Sequence, residues 1–145
     1  MGQKVFHFTH RVSYADCTVG NHVYHSRFLE ILERARGEFF RSLGGSLLDW
    51  QEQDVIFPVM ACGMKFRAMA RYDDVLGVRL WVAGLGRARL ACASEIHNAS
   101  GPLLHEAVID VVCTTIDGRP RRLPSPLFAA LQGYLTPAAG AETSP

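Results

Sequence analysis

Several features that mark special classes of protein are missing from this sequence of 145 residues. The net charge is only +1, which gives no general attraction to nucleic acid or to an anionic membrane. No apolar segment approaches membrane-spanning length, and the start MGQKVFHF lacks the apolar run of a signal peptide. The four cysteines lie far apart and form no CxxC pair, which disfavours zinc or dithiol chemistry. We therefore expect a protein of the reducing cytoplasm, without a metal or other cofactor.

The composition that remains is that of an ordinary globular protein, with 48% hydrophobic and 20% charged residues. The length suits one domain with one core, and no internal repeat is visible. We expect this domain to occupy residues 1–136. The end of the chain, residues 137–145, is rich in Ala and Pro, and we expect it to be disordered.

The first half of the chain predicts a strand, a turn and a long helix. Residues 4–13 alternate, and one face carries Phe6, Phe8, His10 and Val12, as in a β-strand. The turn DCTVGN follows. From residue 23 the apolar residues recur at helical spacing as far as the Gly44-Gly45 stop. Their stripe is wide, so we expect other structure to wrap around this helix.

The second half of the chain predicts strands. Four apolar runs follow the helix, at residues 55–66, 74–85, 87–98 and 103–116, and their short connections suit hairpins. Pro58 indicates an edge or bulged position, and residues 125–135 suit a short closing helix. The order predicts an α+β fold in which a curled antiparallel sheet of about five strands wraps one long helix. Such a sheet leaves open edges, so we expect at least a dimer.

Reactive side chains gather where the first strand meets the long helix, in the segment YADCTVGNHVYH, residues 14–25. The first amides of a helix have no internal partner, and the positive end of the helix dipole lies behind them. A carbonyl oxygen that becomes negative in a transition state would be stabilised there. Candidates to position water or carry a proton beside it are Asp16, Thr18, His22, Tyr24 and His25.

Each of these residues also has a structural interpretation. Asp16 and Thr18 suit caps or turn positions, His22 suits an exposed loop, and Tyr24 could pack its ring locally. His25, on the first helical turn, is the hardest to assign to structure alone. Cys17 lacks the spacing of a nucleophilic triad. We interpret the histidines on the strands, at positions 7, 10, 97 and 105, as structural.

The segment RVSYADCTVGNHVYHSRFLEILERARGEFF resembles the signature of hotdog-fold thioesterases of the 4-hydroxybenzoyl-CoA thioesterase type. It is most similar to the branch of small bacterial acyl-CoA thioesterases that includes the Tol-Pal-associated enzymes. The resemblance continues at residues 66–76 and 117–124. It implies a hotdog fold that dimerises edge to edge and hydrolyses thioesters of coenzyme A. It also implies an aspartate in the turn as nucleophile or general base.

The sequence departs from that family pattern at the catalytic aspartate. Asp16 matches the acid that begins the motif, Cys17 matches its Thr or Cys position, and Thr18 occupies the place of the aspartate itself. A threonine hydroxyl is a weak base, so Asp16 or His25 would carry that role while Thr18 orients water, or water would act at the helix start alone. Thioesterases of enediyne polyketide pathways, which also resemble this sequence, lack the acid as well.

The function expected is therefore hydrolysis of an acyl-CoA or acyl-carrier thioester by a homodimer or homotetramer, without nucleic acid or a membrane span. Catalytic candidates are Asp16, Thr18, Tyr24 and His25, and substrate-binding candidates are Gly20, Asn21, His22 and Phe28. We expect Leu47 and Trp50 near the acyl pocket, and arginines at strand ends and turns near the phosphates of coenzyme A. The alternatives are a non-catalytic acyl-thioester binding protein and, less favoured, a hotdog dehydratase.

Overall fold

A computed structural model describes residues 4–136 of the chain. These residues form one long helix, two short helices and seven strands, with a single 3₁₀ turn (Tyr14–Asp16) after the first strand. In chain order they are β1 (Phe6–Arg11), β2 (Cys17–Thr18), β3 (His22–Val23), α1 (His25–Ser42), α2 (Leu47–Gln51), β4 (Val59–Phe66), β5 (Val75–Leu85), β6 (Arg89–Asn98), β7 (Leu103–Val112) and α3 (Ser125–Gln132).

Five antiparallel strands form one sheet in the order β1-β5-β6-β7-β4, and β2 and β3 form a separate small hairpin. The helix α1 packs against β1 and β5. The alternation predicted for β1 is confirmed, because Phe6, Phe8 and His10 lie on the covered face and His7 and Thr9 are exposed. We call the covered face of the sheet the inner face and the opposite one the outer face. The α+β architecture of one long helix against a five-stranded antiparallel sheet is the one predicted.

The helix α1 begins and ends where its sequence requires. Tyr24 precedes it with an extended backbone (φ −67°, ψ 140°), and Gly44 follows it at φ +109°, which L side chains rarely adopt. The predicted apolar stripe is buried. Arg36 is buried with it, and its Nη2 donates to Glu33 Oε1 at 2.6 Å, so this guanidinium has a local partner.

The strand β4 has the edge position and the irregularity that Pro58 predicted, because it ends the sheet and its register shifts between Val59 and Ala61. The hairpin predicted between β4 and β5 is wrong. β4 pairs with β7 instead, with Phe66 opposite His105 and Lys65 opposite Glu106. Residues 67–74 form a crossing to the far side of the sheet, where Val23 N donates to Ala70 O at 2.8 Å and Val12 N to Asp74 O at 2.8 Å. This crossing brings β4 and its following loop to the start of α1.

The predicted closing helix is confirmed as α3, whose Leu127 and Leu131 are buried in the core. The disordered tail expected at residues 137–145 lies outside the described residues, so the domain limits stay a prediction. Between residues 4 and 136, no helix has the length and hydropathy needed to cross a membrane.

Candidate functional site

The turn between the first strand and α1 is a tight hairpin. Thr18 of β2 lies opposite His22 of β3, and Asn21 N donates to Thr18 O at 3.1 Å. Gly20 and Asn21 both have positive φ values, +88° and +58°. Glycine adopts such values freely because it has no Cβ, and asparagine tolerates them better than most residues. The half-buried Thr18 is therefore held at a fixed place beside the hairpin turn.

Arg71 fixes this hairpin turn from the crossing loop. Its Nη1 donates to the carbonyl oxygens of Gly20 at 3.4 Å and Asn21 at 3.3 Å. Next to it, Tyr72 N donates to the Asn21 side-chain oxygen at 3.3 Å. These contacts give Arg71 a role in holding the turn.

Asp16 lies beneath the hairpin with its carboxylate occupied. Its Oδ2 is 2.8 Å from His10 Nε2 and accepts from Ser13 N at 2.9 Å, and the residue is 8% exposed. Burial alone would raise the pKa of Asp16, but the Ser13 amide and His10 outweigh it, so the pKa lies below its ordinary value. This arrangement stabilises the carboxylate as a charged anchor of the 3₁₀ turn.

The start of α1 carries unpaired backbone donors. Tyr24 N donates to Asp16 O at 3.0 Å and Arg27 N to Tyr24 O at 2.8 Å. The amides of His25 and Ser26 have no acceptor within residues 4–136, Tyr24 provides no side-chain cap, and the first turn holds no acid. The positive end of the helix dipole is therefore not neutralised locally, and an oxyanion is the species it would stabilise.

Aromatic rings surround that helix start. The His25 ring lies 4.4 Å from Tyr24 and 6.3 Å, edge-on, from Phe66, where each distance joins ring centroids. Phe28, one turn further along α1, stacks parallel to the ring of His105 on β7 at 4.8 Å, and Phe66 packs against both. Tyr24, His25 and Phe66 are exposed, whereas Phe28 and His105 are buried. The helix start thus has a cluster of aromatic rings beside it.

His105 is the buried polar member of this cluster, and it has no hydrogen-bond partner for either ring nitrogen among the described residues. It is 0% exposed, and burial lowers its pKa to about 4, an effect that the nearby Glu106 opposes. The imidazole is therefore neutral at physiological pH. The sequence predicts a structural strand histidine here, and only the pairing of β4 with β7 reveals its position under Phe66.

The predicted site residues divide into those near the helix start and those set apart from it. Main-chain pairing brings Thr18, His22, Tyr24 and His25 onto one hairpin and the helix turn that follows it. The carboxylate of Asp16 is turned toward β1. The place of Leu47 and Trp50 beside an acyl pocket stays a prediction. Both residues follow the far end of α1, a helix about 27 Å long for 18 residues at 1.5 Å each.

Cys17 is disfavoured as a nucleophile by its surroundings. Burial, followed by the charges of Asp16 and Asp74, raises the pKa of its thiol, so little thiolate forms at neutral pH. No group of three or more His, Cys, Asp or Glu side chains in the described part of the chain is arranged to hold a metal ion. The chemistry that these residues support is stabilisation of an oxyanion beside imidazole and hydroxyl groups.

The chain is similar to proteins of a known family. Residues 20–105 match the family model described as the thioesterase superfamily. The chain is 32% identical over 130 residues to the acyl-CoA thioester hydrolase YbgC of Escherichia coli, covering 89% of this chain and 97% of the relative. It is 31% identical over 129 residues to the acyl-CoA thioesterase YbgC of Haemophilus influenzae, covering 86% and 93% of the two chains.

Solved structures agree with these matches. The crystal structure of Slr0204, a 1,4-dihydroxy-2-naphthoyl-CoA thioesterase from Synechocystis, superposes with a TM-score of 0.83 at 27% sequence identity, covering 89% of this chain and 96% of that one. The hotdog fold predicted from the sequence is thus the fold of its structural neighbours.

Proposed function

Because this chain belongs to the thioesterase superfamily, we propose that it hydrolyses acyl thioesters of coenzyme A at the start of α1. The observation that carries the proposal is the pair of unpaired amides of His25 and Ser26, at a helix start with no acid in its first turn. A thioester carbonyl oxygen within reach of these amides is polarised, and the negative charge of the tetrahedral intermediate is stabilised there.

His25 and Thr18 are the residues we propose for the reacting water. Water attacks the carbonyl carbon, the C–S bond breaks, and the thiolate that leaves is protonated. His25 accepts the proton from water and returns it to the sulfur, while the Thr18 hydroxyl orients that water. Asp16 is less suited to be the base, because its carboxylate is held by His10 and the Ser13 amide. Gly20, Asn21 and His22 shape the turn beside the substrate, and Tyr24 and Phe28 contact its acyl group.

The test measures free thiol released from a panel of aliphatic and aromatic acyl-CoA substrates. His25→Gln keeps a polar side chain but transfers no proton at neutral pH, and we expect it to lower kcat at least a hundredfold. Thr18→Asp restores the family acid, and we expect it to raise kcat. Ser125→Asp, which adds the same charge at the start of α3, is the control and leaves the rate unchanged.

A binding protein without catalysis is the second candidate, favoured by one observation: no acid occupies position 18, and the nearest one, Asp16, is already paired. In that case acyl-CoA binds saturably and no thiol is released above the buffer rate. Wild-type turnover that is unaffected by both His25→Gln and Thr18→Asp contradicts the site proposed here while leaving the reaction itself intact. An acyl-carrier thioester, tested in the same panel, distinguishes the two carriers of the acyl group.

We also propose that the protein assembles through β4 into a homodimer, with a homotetramer as the alternative. β4 is an edge strand whose Val59, Met60 and Phe66 are 43%, 66% and 48% exposed. Sedimentation equilibrium should give at least twice the chain mass of 16.0 kDa. Met60→Lys places a charge on this edge and should lower the mass to that of one chain.

A cytoplasmic location is proposed from the four free cysteines.

A further inference from the structure

A depression of about 460 Å³ lies on the outer face of the sheet, across β1, β5 and β6. Its floor is Gly77, which pairs with Thr9 on one side and His97 on the other. A Cβ added at this glycine would meet nothing within 4 Å, so the space above the strand is open because the side chain is missing. We call this depression the Gly77 pit. α1 covers the other face of the sheet, so the pit is separate from the helix start.

Five of the residues that line the Gly77 pit have polar side chains, and the others are Phe8, Gly77, Val78 and Gly101. The cross-strand register places His7 beside Arg79 and His97 beside Gly77. Thr9 and Asn98 complete the polar lining, which contains no carboxylate. Two imidazoles and one guanidinium around a cavity without an acid form the donor set that binds phosphate oxygens.

Two carboxylates lie just outside this lining, and both are already paired. Glu95 Oε1 accepts from Arg79 Nη1 at 2.9 Å, and Asp74 Oδ2 accepts from Asn98 Nδ2 at 3.0 Å. A guanidinium has five N–H groups, so Arg79 retains donors for a second acceptor while Glu95 holds its orientation. The side-chain amide of Asn98 is occupied, and we assign it no contact with the ligand.

We propose that the Gly77 pit binds the phosphate of a nucleotide, through His7, His97 and Arg79. The volume lies within the roughly 300–1,000 Å³ of sites for organic molecules, which is more space than inorganic phosphate fills. The phosphate is either one carried by coenzyme A itself or that of a separate nucleotide. Binding of a nucleotide at this face does not depend on the thioesterase reaction.

The experiment titrates the full-length protein with ADP and follows the imidazole signals of the histidines by ¹H–¹⁵N NMR. We expect the signals of His7 and His97 to shift saturably and those of His105 to stay in place. Gly77→Val fills the pit with a side chain suited to a strand, and we expect it to raise the dissociation constant of ADP at least tenfold.

Gly63→Val is the matched control. Gly63 also lies on the outer face, over a separate depression of about 440 Å³, and a Cβ there meets nothing within 4 Å. This variant should bind ADP like the wild type. His97→Gln, at a half-buried position of β6, should weaken the binding of ADP as well. Absence of saturable shifts in the wild type, or equal weakening by Gly77→Val and Gly63→Val, overturns the proposal.

Steady-state kinetics then identify the source of the phosphate. If coenzyme A supplies it, Gly77→Val raises KM for acyl-CoA and leaves kcat unchanged. If a separate nucleotide supplies it, KM for acyl-CoA is unchanged while ADP binding is lost. ADP binding is measured without any thioester, so its result does not depend on whether the protein hydrolyses acyl-CoA. The nucleotide-site proposal and the thioesterase proposal can therefore be contradicted separately.

Discussion

Two buried histidines on the inner face of the sheet, His10 and His105, differ in what surrounds their ring nitrogens. His10, on β1, has the carboxylate of Asp16 at 2.8 Å. His105, on β7, lies between the rings of Phe28 and Phe66 and has no partner among the described residues. The imidazole of His10 is hydrogen-bonded and can hold the turn without leaving a buried polar atom unsatisfied. The imidazole of His105 leaves two buried nitrogens unsatisfied, which lowers the stability of the folded chain.

The largest effect we expect is from removing the partner of His10. Asp16→Ala leaves a buried imidazole and the Ser13 amide without an acceptor, and should lower the free energy of unfolding by about 3 kcal/mol. Urea denaturation at pH 7 measures it. Asp117→Ala, which removes an exposed carboxylate, should change it by less than about 0.5 kcal/mol. A loss under about 1 kcal/mol for Asp16→Ala would mean that the pair is not holding the 3₁₀ turn.

The second effect is the acid sensitivity that His105 confers. Its pKa is about 4 in the folded chain, compared with the ordinary value of 6.5 that applies to the unfolded chain. Between pH 6.5 and pH 4, the unfolded chain therefore binds a proton at this histidine that the folded chain does not. Stability therefore falls as the pH drops from 6.5 toward 4, by about 2 kcal/mol between pH 7 and pH 5.

Denaturation of the wild type and His105→Phe at both pH values isolates this contribution, because the other histidines are common to both proteins. Asp16 does not interfere. Its pKa lies below its ordinary 3.8, so its contribution is present above that value and is lost only in stronger acid. Parallel pH dependences for the two proteins would contradict the assignment to His105.

The smallest effect is the gain from giving His105 an apolar replacement. His105→Phe removes two unpaired nitrogens from an aromatic surrounding and should raise the free energy of unfolding at pH 8 by about 1 kcal/mol. The same substitution at His10 should lower it, because Asp16 is then left without its partner. Opposite signs from one chemical change at two buried histidines are the sharpest test of the comparison, and equal signs contradict it.

Most of the fold follows from local patterns. The alternation of Phe6, Phe8 and His10, the stripe of α1 and the edge position of β4 after Pro58 were all predictable, since each depends on a few neighbouring residues. The neighbour of β4 was not predictable in this way, because hairpin reasoning pairs strands that are adjacent in the chain. β4 instead closes the far side of the sheet against β7.

The candidate site was predictable only in part, for the same reason. Its hairpin and helix start are one continuous segment, and their residues were identified from the sequence. The rings of Phe66 and His105, and the tether from Arg71, arrive from distant strands and loops. Their placement depends on cross-strand register, which no periodicity in the sequence specifies.

The strand order also has a consequence for how the molecule is built. β5, β6 and β7 follow one another with short connections, and each pairs with its neighbour in the chain. In contrast, β1 pairs with the distant β5, as in Phe6 opposite Leu80, and β4 can pair only after β7 is in place. Local pairing closes small loops and distant pairing closes large ones, so the central meander should form early in folding and both edges late. The helix start is framed by those two edges, and the reactive region should therefore be the final part of the chain to become ordered.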